Sequence, residues 1–168
     1  MGNLIRQRQH VVKRIPRPAR SAKGDAFSEL AICVLQAAGH LTQAGDALSG
    51  PSGLTSARWQ VLAAAARAPS TVAQVARLLG VARQGVQRLA DLLVAEKLVR
   101  FDDNPAHRKA KLLTLTPVGA KKLAEVRDRQ AAWADRMGDQ FSEADLWQAN
   151  QILQQVLAAL RAHPVSDA

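Results

Sequence analysis

A mainly α fold (α+β) with one small β-hairpin is what this sequence predicts, on three observations. Apolar residues make up 48% of the 168, much of it alanine and leucine, while aromatics are only 4%, a balance that favours helices. Apolar positions recur at helical spacings of three, four and seven through most of the chain. Only between Leu98 and Leu115 do two short strand-like runs flank a polar loop.

The elements follow in order. Residues 1–25 hold Pro16, Pro18 and Gly24 among basic residues, and the prolines break any helix there. Leu4, Ile5, Val12 and Ile15 offer at most a weak amphipathic turn or two. From Asp25 to Leu48, Phe27, Leu30, Val34, Leu41 and Leu48 mark a helix that Ser49-Gly50-Pro51-Ser52-Gly53 stops. Thr55 caps a second helix carrying Trp59, Val61, Leu62 and Ala65, which ends before Pro69. Thr71-Val72-Ala73-Gln74 fits a capping box, in which hydroxyl and amide side chains satisfy orphan amides reciprocally. Val72, Val75, Ala76 and Leu79 face inward from the short helix it opens, and Gly80 supplies a turn. Arg83 to Glu96 forms the next helix, burying Val86, Leu89, Leu93 and Val94. Leu98 to Phe101 and Lys111 to Leu115 are strands of a hairpin. Thr116-Pro117 opens a long helix with proline where its missing N–H costs nothing. Ser142 to Asp145 caps a last helix, expected to bury Leu146, Ile152, Leu153, Val156, Leu157 and Leu160.

Charge narrows the function. Residues 1–23 carry seven Lys or Arg and no acid, and residues 54–119 carry ten basic and four acidic residues, while 24–53 and 120–168 are slightly acidic. A polyanion partner would select this segregation within a net charge of +9. No apolar run approaches the roughly 18 residues of a membrane span; Val61 to Ala66 is among the longest candidates. No apolar stretch follows the basic start, so no secretory signal is read, and a cytoplasmic, nucleoid-associated protein is expected. The lone Cys33 excludes an internal disulfide framework. His10, His40, His107 and His163 show no metal-ligand spacing with it. No nucleophile motif, phosphate loop or dinucleotide fingerprint occurs, so neither catalysis nor a cofactor is assigned.

Two short helices about a glycine turn, then a hairpin with a basic tip, form a winged helix–turn–helix. Such a unit lays its second helix in the DNA major groove, with residues near that helix's N-terminus on base edges. Those residues here are Arg83, Gln84, Gln87 and Arg88, of which Gln84, Gln87 and Arg88 share one face. Arg pairs bidentately with guanine and Gln with adenine. Gly85 leaves room for close backbone approach. In the wing, Arg108 is assigned to the minor groove, and Lys109 and Lys111 to phosphates.

Residues 54–119 resemble the winged helix of the MarR family of bacterial transcription regulators. The resemblance runs through Leu54, Trp59-Gln60-Val61-Leu62, Val81 to Leu89, the wing, and Leu115-Thr116-Pro117-Val118-Gly119. With the flanking helices it spans residues 26–161. It implies a homodimer with interlocked N- and C-terminal helices, bound to a palindromic operator and usually repressing. In many members an anionic aromatic ligand between the dimer helices and the DNA lobe releases the DNA. Two departures stand out. The family wing often reads Asp-Pro-x-Asp-Arg-Arg, whereas this chain has Asn104-Pro105-Ala106-His107-Arg108-Lys109, with His107 where an acid commonly orients the wing arginine. The basic arm also exceeds the minimal family pattern.

The resulting map is a basic arm (1–25), a helical dimerisation region (26–53 and 120–162), a DNA-binding winged helix–turn–helix (54–119) and a short tail (163–168). His40, Arg58 and Trp59 are the candidate effector residues: His40 lies on a polar stripe with Gln36 and Gln43, and Arg58 begins the next helix. Trp59 is read first as core. Some relatives sense peroxide through a first-helix cysteine helped by tyrosines; this chain has no Tyr. Cys33 is therefore read as a small buried hydrophobe. The leading expectation is a repressor released by a small ligand. The alternatives are a ligand-independent architectural DNA binder relying on the arm, and a winged helix serving as a protein-interaction module.

Overall fold

The computed structural model describes residues 19–107 and 109–164. Leu4, Ile5, Val12 and Ile15 of the arm, Arg108 of the wing and the end of the tail lie outside them. The chain divides into two compact units, residues 1–39 and 40–168.

In the first unit the described residues are chiefly the opening turns of helix α1 (Ala22–Ser49). The helix starts a turn earlier than its apolar period predicts. Ser21 is the reason: its hydroxyl accepts from the Gly24 amide at 3.1 Å, satisfying an orphan N–H. Arg20 donates to the Ser28 hydroxyl at 2.7 Å. Phe27, Ile32, Val34 and Leu35 are exposed. Cys33 is exposed as well, which corrects its reading as a buried hydrophobe; a helical period marks a shared face without saying that the face is covered.

The second unit holds the end of α1, a 3₁₀ turn (Gly50–Ser52), α2 (Ser56–Arg67), β1 (Ser70–Thr71), α3 (Val72–Leu79), α4 (Arg83–Ala95), β2 (Val99–Asp102), β3 (Leu112–Leu115), α5 (Pro117–Gly138) and α6 (Glu143–Ala162). The expected caps form. Thr55 accepts from the Arg58 amide, and the Thr71–Gln74 capping box closes in both directions. Asp46 adds a second acceptor at the start of α2, taking the Ser56 amide at 2.6 Å. Gly80 adopts φ +68°, a left-handed conformation that costs glycine nothing, and the Val81 amide closes the turn on the Ala76 carbonyl. At the end of α4 the same conformation falls to Lys97, at φ 59°. The Leu98 amide then reaches back to the Leu93 carbonyl at 2.9 Å, a Schellman ending that throws the chain into β2.

The sheet is antiparallel in the order β1-β3-β2. The hairpin was expected; β1 was not. Two residues are too short for any period, and β1 forms because Ser70 and Thr71 are extended ahead of the capping box and pair with Leu113 and Leu112. It ties the base of the wing to the start of α3. The core gathers Leu54, Val61, Leu62, Val75, Val86, Ala90, Leu93, Leu98, Leu113, Leu123 and Val126. Leu89 and Val94 are half-buried against it. The first turns of α5 thus belong to the winged helix–turn–helix core.

Arg129 of α5 fastens the end of α1. It donates to the Leu48 carbonyl at 2.7 Å and to the Ser52 hydroxyl at 2.5 Å, while Ser52 donates to Glu125 at 3.0 Å. Helix α6 departs from expectation. Ser142 caps it as read, but no α6 residue is buried. Leu146, Ile152, Leu153, Leu157 and Leu160 are 38–55% exposed, and Val156 is only half-buried. The apolar stripe is real, but a stripe does not say which chain it packs against.

Candidate nucleic-acid interface

Helix α4 presents the expected reading residues outward. Arg83, Gln84 and Arg88 are exposed and Gln87 is half-buried, while Val86, Ala90 and Leu93 point into the core. The helix packs through these inward residues against α2 and α3, so the reading face rests on a rigid base. A Cβ at Gly85 would meet nothing within 4 Å, which leaves the backbone there open to approach. Ala82, the residue before the helix, supplies no side-chain cap. The first amides of α4 therefore have no side-chain acceptor, the arrangement that suits an incoming anion.

The wing meets this helix at its start. Arg83 and Gln87 share a cleft of about 210 Å³ with Lys109 and Lys111 of the wing, Phe101 of β2 and the first residues of α3. Three cations thus surround one opening. A second, shallower groove is lined by Gln84, Gln87, Arg88, Asp91 and Leu92, so Gln87 borders both. Gln87 is already engaged: its amide nitrogen donates to Asp91 at 2.8 Å.

The wing loop is held by Asn104. Its side-chain oxygen accepts from the Ala106 amide at 3.0 Å and its nitrogen donates to the Ala110 carbonyl at 2.9 Å. Backbone bonds from His107 to Asn104 and from Ala110 to His107 close the tip. Asparagine, standing where the family wing often has aspartate, therefore both donates and accepts, which a carboxylate cannot do. On β2, Arg100 donates to Asp102 at 2.8 Å. That bond holds the Asp102 carboxyl below the usual carboxylate range, and Asp102 in turn raises the Arg100 guanidinium.

The effector candidates are not brought together. Arg58 is largely buried and pairs with Glu96, the C-cap of α4, while its other terminal nitrogen donates to the Gly53 carbonyl at 3.2 Å. Trp59 packs half-buried against the core, as first read. His40 is exposed, and no hydrogen bond or ion pair among the described residues joins it to Arg58 or Trp59. Sequence reasoning missed the pairing of Arg58 with Glu96 because the two lie 38 residues apart. It also passed over Asp91, whose i, i+4 spacing from Gln87 was the available signal.

The profile of the MarR family matches residues 52–110. The uncharacterized protein Rv2011c of Mycobacterium tuberculosis is 37% identical over 138 residues, which cover 82% of this chain and 96% of that relative. The chain belongs to the MarR family. Among solved structures, the transcriptional regulator PA3341 superposes with a TM-score of 0.73 at 26% identity, over 80% of this chain and 99% of that one. The repressor CouR, bound to a 23-mer DNA duplex, superposes with a TM-score of 0.69 at 20% identity, over 83% and 99% of the two chains. CouR from Rhodococcus jostii RHA1 has also been crystallised with p-coumaroyl-CoA. These likenesses confirm a mostly helical winged-helix architecture with a small three-stranded sheet. The MarR profile ends inside the wing. The Thr116 cap that opens α5, with Pro117 in its first turn, therefore lies beyond it. No helix among the described residues is long and apolar enough to cross a membrane.

Proposed function

We propose that this MarR-family chain is a homodimeric, sequence-specific DNA-binding transcription regulator, a repressor of palindromic operators acting in the cytoplasm on the nucleoid. One observation carries the reading: Arg83 and Gln87 of α4 open onto the same cleft as Lys109 and Lys111 of the wing. Base-reading and phosphate-binding chemistry are therefore side by side. Arg83, Gln84, Gln87 and Arg88 would read base edges, Lys109 and Lys111 would hold phosphates, and Arg108 would enter the minor groove. The uncovered apolar face of α6 supports the dimer, since exposed apolar area of that extent is ordinarily covered by a partner. In domain terms, residues 54–119 read DNA, 26–53 and 120–162 dimerise, 1–25 form a basic arm and 163–168 a tail.

A small aromatic or anionic effector completes the proposal, supported by the crystallisation of the fold relative CouR both with an acyl-CoA and with DNA. His40, Arg58 and Trp59 are its proposed contacts. An effector carboxylate reaching Arg58 would compete with Glu96, which caps the reading helix. Such competition gives a physical route from ligand to DNA face.

Paired substitutions test the reading. Arg88→Ala should lower discrimination between operator and scrambled duplex by about 1–3 kcal/mol. Lys109→Ala should weaken binding to both duplexes alike and reduce the salt slope by about one. An equal loss on both sequences for Arg88→Ala would refute base reading by this helix.

A further inference from the structure

We propose that Asp91 is a positioning residue that fixes the base preference of Gln87, giving each half-site a requirement for adenine opposite Gln87. The inference rests on the DNA-reading function proposed above and goes beyond it in naming the base and the residue that enforces it.

The starting point is an acid on a face that should repel it. Gln84, Gln87, Arg88, Asp91 and Leu92 line one shallow groove on the outward side of α4. Asp91 is exposed there, and a carboxylate facing a phosphate backbone weakens binding to every sequence. Its contact explains its place. The Gln87 amide nitrogen donates to the Asp91 carboxylate at 2.8 Å, across one helical turn.

A free glutamine amide can turn over, exchanging its oxygen for its nitrogen, and so can answer to more than one base edge. An ionised carboxylate only accepts hydrogen bonds. Asp91 therefore admits the NH₂ end of Gln87 and rejects the carbonyl end, which removes the flipped state. With one N–H held by Asp91, Gln87 keeps its carbonyl oxygen and its second N–H. Those two groups form the acceptor–donor pair that matches N6 and N7 of adenine in the major groove. Gln87 is also half-buried, bordering both the cleft and the groove, so its side chain has little other freedom. Asp91 thus trades some general affinity for selectivity: it repels all DNA weakly and orients the one amide beside it.

The experiment is selection of duplexes from a random-sequence pool by the full chain and its variants, followed by binding measurements on the selected site and on single-base changes. The wild type should enrich adenine at one position per half-site, with a preference of about tenfold or more. Asp91→Asn and Asp91→Ala should lose most of that preference while binding scrambled duplex roughly twofold tighter, through removal of one negative charge. The asparagine of the first variant can face Gln87 with either end of its amide, so that variant tests orientation separately from truncation. In a Gln87→Ala background, Asp91→Ala should leave base preference unchanged, because the two residues act as a unit. A purely structural role for Asp91 would lower binding to all sequences together and leave base preference intact. Unchanged adenine preference in both Asp91 variants overturns the inference and leaves the DNA-reading function standing. A wild type that enriches no sequence at all overturns both.

Discussion

Replacing Gly119 with alanine should loosen the joint between the wing and α5. An added Cβ would lie 2.0 Å from the Leu98 carbonyl oxygen, 2.9 Å from its carbon and 2.9 Å from the Leu115 side chain. The obstacle is backbone, so no rotamer change relieves it; the start of α5 and the start of β2 must separate by about 1 Å. That movement strains the bonds that seat the helix. The Thr116 amide donates to the same Leu98 oxygen at 3.1 Å, and the Thr116 hydroxyl donates to the Lys97 carbonyl at 2.7 Å while accepting from the Gly119 amide at 3.0 Å. Overpacking against a fixed wall costs about 1–3 kcal/mol, and one weakened hydrogen bond adds about 1 kcal/mol. The better helix propensity of alanine offsets roughly 1 kcal/mol of this. The net expectation is a loss of about 1–3 kcal/mol, a large share of a typical ~5–15 kcal/mol stability. Urea denaturation at fixed protein concentration should show the midpoint falling by about 0.5–1.5 M, for a slope of about 2 kcal/mol per M. A midpoint equal to or above that of the wild type would refute the reasoning, because it would mean that the contact at Leu98 yields without cost.

Gly85→Ala sets the opposite case within the reading helix: open space surrounds the site, so thermal stability should rise by about 0.5–1 kcal/mol. Duplex affinity should fall at the same time, and unchanged affinity would show that the α4 backbone makes no close approach to DNA. The wing gives a pH signature. Because its carboxyl is held low in the folded chain, Asp102 adds stability that is present above the ordinary carboxylate range and is lost as pH falls through the folded value. Urea midpoints for wild type and Asp102→Asn should therefore differ at neutral pH and converge in acid; a constant gap across the range would contradict the Arg100–Asp102 pairing.

The sequence was most legible where a signal is local. Thr71 and Gln74 stand three residues apart and form their capping box; Gly80 turns where only a left-handed residue fits; Thr116 and Pro117 open α5 as such pairs do. What stayed hidden depends on distance or on another surface. Strand β1 exists through its partner in the wing, more than 40 residues on. Lys97 takes a conformation usually given to glycine or asparagine, so its type gave no warning. The charge of Arg58 suggested a ligand, but Glu96 occupies it. The α6 stripe was correctly periodic, but the burial expected of it is not met within the single chain, because a period does not say what covers the face. At the interface, positive and amide side chains on α4 were easy to name from DNA chemistry. Asp91 was not, because an acid looks misplaced there until its bond to Gln87 is seen.

The central claim is that two copies of this chain read DNA with paired α4 helices. Selection of wild-type protein on random duplexes, followed by protection mapping of the winning sequence, tests it directly. The expected result is a two-fold symmetric site with half-site centres about 10–10.5 base pairs, roughly 34 Å, apart. Enrichment of a single asymmetric half-site, or of no sequence, would contradict it.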